Sequence, residues 1–154
     1  MKIVPMRPEH IPALCLLEQI CFSDPWSKEA LEEELRNPTA RFTVALAGEE
    51  VAGYLGFHHV LDEGAVANLA VFPAFRRQGV ARELLAELIA WSRKNGLRTL
   101  TLEVRPSNAP AVALYEQTGF RRVGTRPGYY RHPAEDAALY TLFIEENEHE
   151  RTGI

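Results

Sequence analysis

The sequence predicts an α/β fold of the α+β kind, with a mixed, mostly antiparallel sheet of about seven strands flanked by four helices. Three observations predict it. Strand and helix patterns follow one another in the order βααβββαβαββ. Three consecutive strand-like stretches are separated by short turn signals, which indicates an antiparallel meander. A strand–helix–strand unit surrounds the most periodic helix, which indicates a parallel strand pair.

The first half of the chain contains the first strand, two helices and the meander. The first strand is expected over residues 2–6, and Pro8 opens a helix whose apolar residues recur at helical spacing as far as Cys21. Ser27 is expected to cap a second helix that ends before Pro38. The meander strands are expected over residues 41–47, 51–60 and 65–71, with a turn at 62–64 between the last two.

The second half begins with the strongest helical pattern, over residues 79–94, which Gly96 is expected to end. Its apolar stripe consists of Val80, Leu84, Leu88 and Trp91, widened by Leu85 and Ile89. The remaining elements are a strand over 99–105, a helix from Asn108 to Gly119, and strands over 120–125 and 137–144.

Composition and charge restrict the classes of protein. The chain has 154 residues, of which 46% are hydrophobic and 25% charged, as expected for one globular domain over 1–145 with a frayed tail over 146–154. A basic leader and a long apolar run are both missing from the N-terminal segment, so we predict a cytoplasmic protein without a membrane anchor. The net charge of −4 argues against direct nucleic-acid binding and suits an amine-bearing substrate better.

Cysteine and histidine positions predict neither a disulfide nor a metal site. Cys15 and Cys21 lie six residues apart on one predicted helix, which does not bring them face to face, so reduced thiols are expected. His58 and His59 point to opposite faces of a strand, and the cysteine and histidine spacing does not resemble a zinc site. Because the sequence also contains no Gly-x-Ser-x-Gly motif, an acyl-enzyme intermediate is not expected.

The turn before the long helix has features of a phosphate-binding site. A helix N-terminus offers N–H groups and a positive dipole end, and the small residues Gly79 and Ala81 let a diphosphate approach the backbone. Positive charge surrounds the turn at Arg76, Arg77 and Arg82. Dinucleotide-binding glycines and the Gly-Lys-Ser/Thr of a P-loop are both missing. The residues alone leave open a turn whose arginines are merely solvated.

Two polar side chains in the second half could carry proton transfer. Glu103 lies on the polar face of its strand, opposite Leu100, Leu102 and Val104, where a carboxylate is usually just solvated. Tyr115 lies on a helix face where an aromatic residue usually serves packing. From spacing alone, either reading of each residue stays open.

Two segments carry a family resemblance. Arg76-Arg77-Gln78-Gly79-Val80-Ala81 resembles the Gln/Arg-x-x-Gly-x-Gly/Ala signature of the GNAT superfamily of N-acetyltransferases, and residues 108–120 resemble its N-x-x-A-x-x-L-Y-x-x-x-G-F stretch. The element order resembles the same superfamily over nearly the whole chain. The resemblance implies an enzyme that uses acetyl-CoA as co-substrate, with Glu103 as general base and Tyr115 as the acid that protonates the departing thiolate. The coenzyme contacts that it implies are Leu69, Val71, Arg76, Arg77, Gln78, Gly79, Val80, Ala81, Arg82 and Asn108, and Asn108 could equally well cap its helix.

Two further segments, 21–27 and 128–137, resemble a branch of the superfamily that acetylates the N-terminal alanine of the eighteenth small-subunit ribosomal protein. The resemblance implies that these loops flank the acceptor groove, with Trp26, Tyr129, Tyr130 and Arg131 shaping the peptide site. Each aromatic residue could instead serve packing alone. The sequence departs from that branch at Arg126-Pro127-Gly128 and at Tyr140, which weakens the inference about acceptor sequence.

Two alternative functions stay open. One is a GNAT acetyltransferase for lysine, a polyamine or another small amine, although an α-amine with a pKa of about 8 is more often neutral at pH 7 than a lysine at about 10.4. The other is a non-catalytic acetyl-CoA-binding module. The presence of both Glu103 and Tyr115 argues against a module, because binding alone requires neither proton-transfer group.

Overall fold

The computed structural model describes residues 1–144, and the predicted frayed tail over 146–154 lies outside the described residues. The strands form a seven-stranded, mostly antiparallel sheet in the order β1-β2-β3-β4-β5-β7-β6, which together with four α-helices confirms the predicted fold class. The elements are β1 (Lys2–Pro5), α1 (Ile11–Cys21), α2 (Lys28–Arg36), β2 (Ala40–Ala47), β3 (Glu50–Val60), β4 (Glu63–Val71), α3 (Val80–Lys94), β5 (Thr99–Val104), α4 (Ala109–Gln117), β6 (Arg121–Arg131) and β7 (Ala134–Phe143). Short 3-10 turns occur at Pro8–His10 and Pro73–Phe75.

The chain divides into two compact units. Among the described residues, the first comprises Met1–His59 with Val66–Glu87, and the second comprises Val60–Ala65 with residues 88–144. Both β4 and α3 contribute residues to each unit. A single domain over 1–145 therefore stays a prediction.

The first unit is built on the antiparallel strands β1, β2 and β3, with Val4 paired to Val44 and Val44 to Tyr54. The helical spacing predicted for α1 is confirmed, because Ile11, Leu14 and Leu17 are buried on one face. Ser27 caps α2 as predicted, since its Oγ accepts a hydrogen bond from the Ala30 N–H at 3.1 Å. The buried core of this unit comprises Met6, Ile11, Leu14, Leu17, Leu31, Phe42, Val44, Val51, Tyr54 and Ala70.

A buried carboxylate lies within this core. Glu18 of α1 is 1% exposed, and its Oε2 accepts hydrogen bonds from the Tyr54 hydroxyl at 2.6 Å and the Asn68 amide at 3.4 Å. Its Oε1 accepts a bond from the Trp26 backbone N–H at 2.8 Å. Because a buried acidic group is costly unless it is hydrogen-bonded, these three donors explain how the core tolerates Glu18. The same bonds fix the segment between α1 and α2 to β3 and β4.

Replacing Glu18 with alanine is expected to lower the free energy of unfolding by about 2 kcal/mol, because the Tyr54 hydroxyl and the Trp26 backbone N–H would lose their acceptor. Urea denaturation measures the loss. The control is Gln19→Ala on the exposed face of the same helix, which should change stability by less than about 0.5 kcal/mol. Equal losses in both variants would show that the network does not stabilise the fold.

The second unit begins with the predicted parallel pair, in which Glu63, Gly64 and Ala65 of β4 pair with Thr99, Leu100 and Thr101 of β5. Strand β7 then pairs antiparallel with both β5 and β6. Gly96 ends α3 as predicted: its φ is +77°, and the next N–H, of Leu97, bonds to the Ser92 carbonyl at 3.0 Å. Asn108 caps α4, since its Oδ1 accepts from the Ala111 N–H at 3.3 Å.

Sequence-based boundaries are wrong in two regions of the chain. The turn predicted at 62–64 is shorter, because Leu61 adopts a φ of +55° and lets β4 start at Glu63. The last two strands are longer than predicted, so most of 128–137 belongs to a β-hairpin rather than to a loop. Pro127 and Gly128 look like strand breakers, but the pairing of β6 with β7 is irregular between Arg126 and Tyr130 and accommodates them at the edge of the sheet.

Candidate active site

The predicted phosphate-binding turn lies in the first unit, between β4 and α3. Gly79 has a φ of +79° and Arg77 a φ of +63°, so the backbone turns sharply before the helix. A side chain at Gly79 would meet nothing within 4 Å, so the backbone conformation rather than lack of space requires glycine there. The Glu83 N–H donates to the Gly79 carbonyl at 2.9 Å. The N–H groups in the first turn of a helix have no acceptor within the helix itself.

Two side chains of the turn bond to nearby backbone carbonyls, and a third is buried. Arg76 folds back, with its Nε 3.1 Å from the Val71 carbonyl oxygen and its Nη2 3.4 Å from the Cys21 sulfur. Gln78 donates to the Ala74 carbonyl at 3.1 Å. Val80 is buried and anchors the start of the helix. Arg76 and Gln78 thus stiffen the turn, and residues 77–79 are exposed.

The remaining predicted residues of the first unit have clear local roles. Leu69 and Val71 are half-buried in β4, and the Val71 carbonyl already accepts from Arg76. Trp26 is half-buried, packs 5.9 Å from the Phe42 ring and has its backbone N–H bound by Glu18. The packing role considered for Trp26 is therefore present in the structure.

Glu103 is the centre of a cluster in the second unit. The predicted alternation of β5 is confirmed, since Leu102 and Val104 are buried while Glu103 is half-buried. Arg126 Nη2 lies 3.1 Å from Glu103 Oε1, and the Tyr129 hydroxyl donates a hydrogen bond to the same carboxylate. That hydrogen bond, followed by burial, raises the pKa of Tyr129.

The pairing register explains how Arg126 reaches Glu103 across β7. Glu103 is paired with Leu139 of β7, and Arg126 is paired with Ala137, two residues earlier on the same strand face. The small side chain of Ala137 leaves the diagonal between these pairs available to the long arginine. Sequence reasoning noted Arg126 only as a departure from a family pattern and missed this pairing.

Tyr115 is 7% exposed on α4, where its ring lies 5.7 Å from that of Phe120. Burial, helped by the neighbouring Tyr130 hydroxyl, raises the pKa of Tyr115 to about 12. Burial first, and then the Tyr129 hydroxyl and the Glu103 carboxylate, raise the pKa of Tyr130 to about 12. The structure therefore brings together the predicted residues Glu103, Tyr115, Tyr129 and Tyr130.

A second set of polar contacts holds the β6–β7 hairpin against the turn after β5. Arg105 donates to the Pro133 carbonyl at 2.8 Å, and its guanidinium lies 4.2 Å from the centre of the Tyr130 ring. Glu135 accepts from the Ser107 backbone N–H at 2.9 Å and the Ser107 hydroxyl at 2.8 Å. The Ser107 hydrogen bonds lower the pKa of Glu135. Sequence reasoning missed Arg105, Ser107 and Glu135, because only the folded hairpin brings them together.

Arg131 is exposed at the end of β6, and Asn108 is exposed at the start of α4. Across residues 1–144, no group of three or more histidine, cysteine or acidic side chains is placed to hold a metal ion. None of the helices in that range is long and apolar enough to cross a membrane.

Comparison with known proteins gives consistent matches. Residues 11–120 match the acetyltransferase (GNAT) family. The chain is 38% identical over 136 residues to the ribosomal protein bS18-alanine N-acetyltransferase of Escherichia coli K12, covering 87% of this chain and 91% of that relative. It is 37% identical over 133 residues to the enzyme of the same name from Haemophilus ducreyi, covering 83% of this chain and 90% of the relative. The crystal structure of the ribosomal-protein-S18-alanine N-acetyltransferase from Escherichia coli superposes with a TM-score of 0.87 at 34% identity, covering 95% of each chain.

Proposed function

The chain belongs to the acetyltransferase (GNAT) family, and we propose that it transfers the acetyl group of acetyl-CoA to the N-terminal alanine of small-subunit ribosomal protein S18. The enzyme class, an N-acetyltransferase, follows from the family itself. The observation that carries the acceptor is the 38% identity, over 87% of this chain, to a relative named for that reaction. A ribosomal acceptor also implies that the enzyme acts in the cytoplasm.

The coenzyme is proposed to bind through the turn before α3. The pyrophosphate is assigned to the backbone N–H groups of residues 77–82, with Arg77 and Arg82 adding positive charge. The sharp backbone turn at Arg77 and Gly79 and the exposure of residues 77–79 support this assignment. The pantetheine arm is assigned to the backbone of Leu69 and Val71, and Asn108 is a further contact beside its role as helix cap.

Acetyl transfer is proposed to be direct. The acceptor nitrogen bonds to the thioester carbonyl carbon, and the carbon–sulfur bond breaks after the tetrahedral intermediate forms. Glu103 takes the amine proton, directly or through water, and Tyr115 gives its proton to the departing thiolate. With a pKa of about 12, the Tyr115 hydroxyl is protonated throughout the neutral range and so carries the proton that this role requires. Burial raises the pKa of the Cys15 thiol, which makes this cysteine a poor nucleophile for an acyl-enzyme route.

The acceptor peptide is assigned to the residues around Glu103. Tyr129 and Tyr130 pack edge to face with ring centres 5.0 Å apart, which gives a rigid aromatic surface beside the carboxylate. Arg131 follows them at the end of β6. Trp26 stays a proposed acceptor contact on the resemblance of its loop, residues 21–27, alone. An N-terminal amine suits a single carboxylate base, because about a tenth of an α-amine with a pKa near 8 is already neutral at pH 7.

The test is thiol release from acetyl-CoA in the presence of peptides that begin Ala-Arg. Matched peptides have a blocked N-terminus and free lysines, and spermidine serves as a small-amine acceptor. Turnover restricted to the free-terminus peptides is the expected result, because the proposal assigns the reaction to an α-amine. Turnover of the blocked peptides or of spermidine alone would replace this proposal with a lysine or polyamine acceptor, and no turnover would favour a binding module.

A further inference from the structure

The irregular segment of β6 places two different partners on Glu103. The pairing of β6 with β7 shifts between Arg126 and Tyr130, and the Gly128 N–H in this segment bonds to Asp136 Oδ1 at 2.8 Å. That bond ties the backbone of the segment to β7. The backbone of the segment is therefore anchored to β7, and the side chains of Arg126 and Tyr129 both contact the Glu103 carboxylate.

These two partners differ in charge and in freedom to move. Tyr129 is a neutral donor whose ring is fixed edge to face against Tyr130. Arg126 is a cation whose side chain is 55% exposed, while that of Glu103 is 28% exposed. Ion pairs that are open to water contribute little net free energy, so the Arg126 guanidinium can leave Glu103 at small cost. Once detached, it can stay close by over the Tyr129 ring, whose centre is 5.2 Å from it.

An acceptor amine enters as an ammonium ion at neutral pH and needs the same carboxylate. Two cations on one carboxylate repel each other, and Arg126 already occupies Oε1 of Glu103. A guanidinium is permanently charged and cannot give up a proton to relieve this repulsion. The acceptor and Arg126 are therefore expected to compete for Glu103.

We propose that Arg126 occupies the acceptor's place on Glu103 in the free enzyme and is displaced when the N-terminal ammonium binds. This inference rests on the proposed function, in which Glu103 receives the acceptor amine. Arg126 is then an occluding residue that sets the affinity for the acceptor, and Tyr129 keeps the carboxylate oriented while the two cations exchange.

The Arg126→Gln variant tests the proposal, because glutamine keeps a polar side chain and removes the competing charge. The KM for a peptide beginning Ala-Arg is expected to fall by about two- to fivefold, the range that corresponds to an exposed ion pair. The kcat and the KM for acetyl-CoA are expected to stay within about twofold. The matched control is Arg122→Gln on the same strand, since Arg122 contacts the Thr125 hydroxyl instead of Glu103 and its replacement should leave the peptide KM unchanged.

The same substitution is repeated in the Glu103→Gln background, where the gain in peptide affinity should disappear because there is no carboxylate to compete for. An unchanged or higher peptide KM in Arg126→Gln, with Glu103→Gln strongly impaired, would overturn the occlusion while leaving the proposed function intact. A gain that persists without the carboxylate would overturn it too. If Glu103→Gln retains full activity, both the occlusion and the base assignment fail.

Discussion

Replacing Tyr115 with phenylalanine is expected to lower kcat by about 10³-fold, within the range that a general acid contributes. The thiolate of coenzyme A would then leave without the proton that the hydroxyl supplies. Phenylalanine keeps the ring and its edge contact with Phe120, so the packing of α4 should survive. Thiol release gives kcat, and isothermal titration calorimetry gives the affinity for acetyl-CoA, which should change by less than about twofold.

Tyr140→Phe is the matched control for this experiment. Tyr140 is 4% exposed on β7 in the same unit, so its replacement also removes a hydroxyl from a buried tyrosine. It has no assigned part in proton transfer, and its kcat should stay within about twofold. Equal turnover by Tyr115→Phe and the unaltered enzyme would remove Tyr115 from the mechanism.

Replacing Glu103 with glutamine is expected to lower kcat/KM for the peptide by about 10²-fold at pH 7. Glutamine matches the shape of glutamate but cannot take a proton from the acceptor ammonium. The difference in kcat/KM between the variant and the unaltered enzyme should narrow as the pH rises to 9. At that pH an α-amine with a pKa of about 8 loses its proton to solvent without a protein base. The pH profile of kcat/KM for the variant is therefore expected to follow the ionisation of the peptide.

Glu116→Gln serves as the control, because Glu116 is an exposed carboxylate on α4 of the same unit. Its kcat/KM and pH profile should match those of the unaltered enzyme. If Glu103→Gln also leaves the pH profile unaltered, Glu103 is not the base and another group accepts the amine proton.

Local sequence signals predicted the elements that hold the proposed coenzyme site. The α3 helix is periodic over its whole length, and Gly96 ends it because only glycine readily adopts the φ of +77° found there. Asn108 and Ser27 cap their helices through bonds to residues three positions ahead. Each of these features depends on neighbours within one or two helical turns, so the sequence contains the necessary information.

Contacts that depend on strand register could not be predicted in the same way. Arg126 and Glu103 are 23 residues apart in the sequence. They meet because both of their strands pair with β7, in a register that places Arg126 beside Ala137 and Glu103 beside Leu139. Glu18 is buried although it is acidic, and its hydrogen-bond donors Tyr54 and Asn68 lie 36 and 50 residues away in the sequence. Pro127 and Gly128 are residues that both loops and bulged edge strands tolerate. They therefore suggested a loop where the structure has a bulged strand.

The most direct test of the proposed function is mass spectrometry of purified small-subunit ribosomal protein S18 after incubation with the enzyme and acetyl-CoA. The unacetylated substrate must begin with its mature N-terminal alanine. One added acetyl group, located by fragmentation on that alanine, is expected, and none when Tyr115→Phe replaces the active enzyme over the same interval. Acetyl groups on internal lysines, or an unmodified protein alongside rapid acetylation of another amine, would contradict the proposed function.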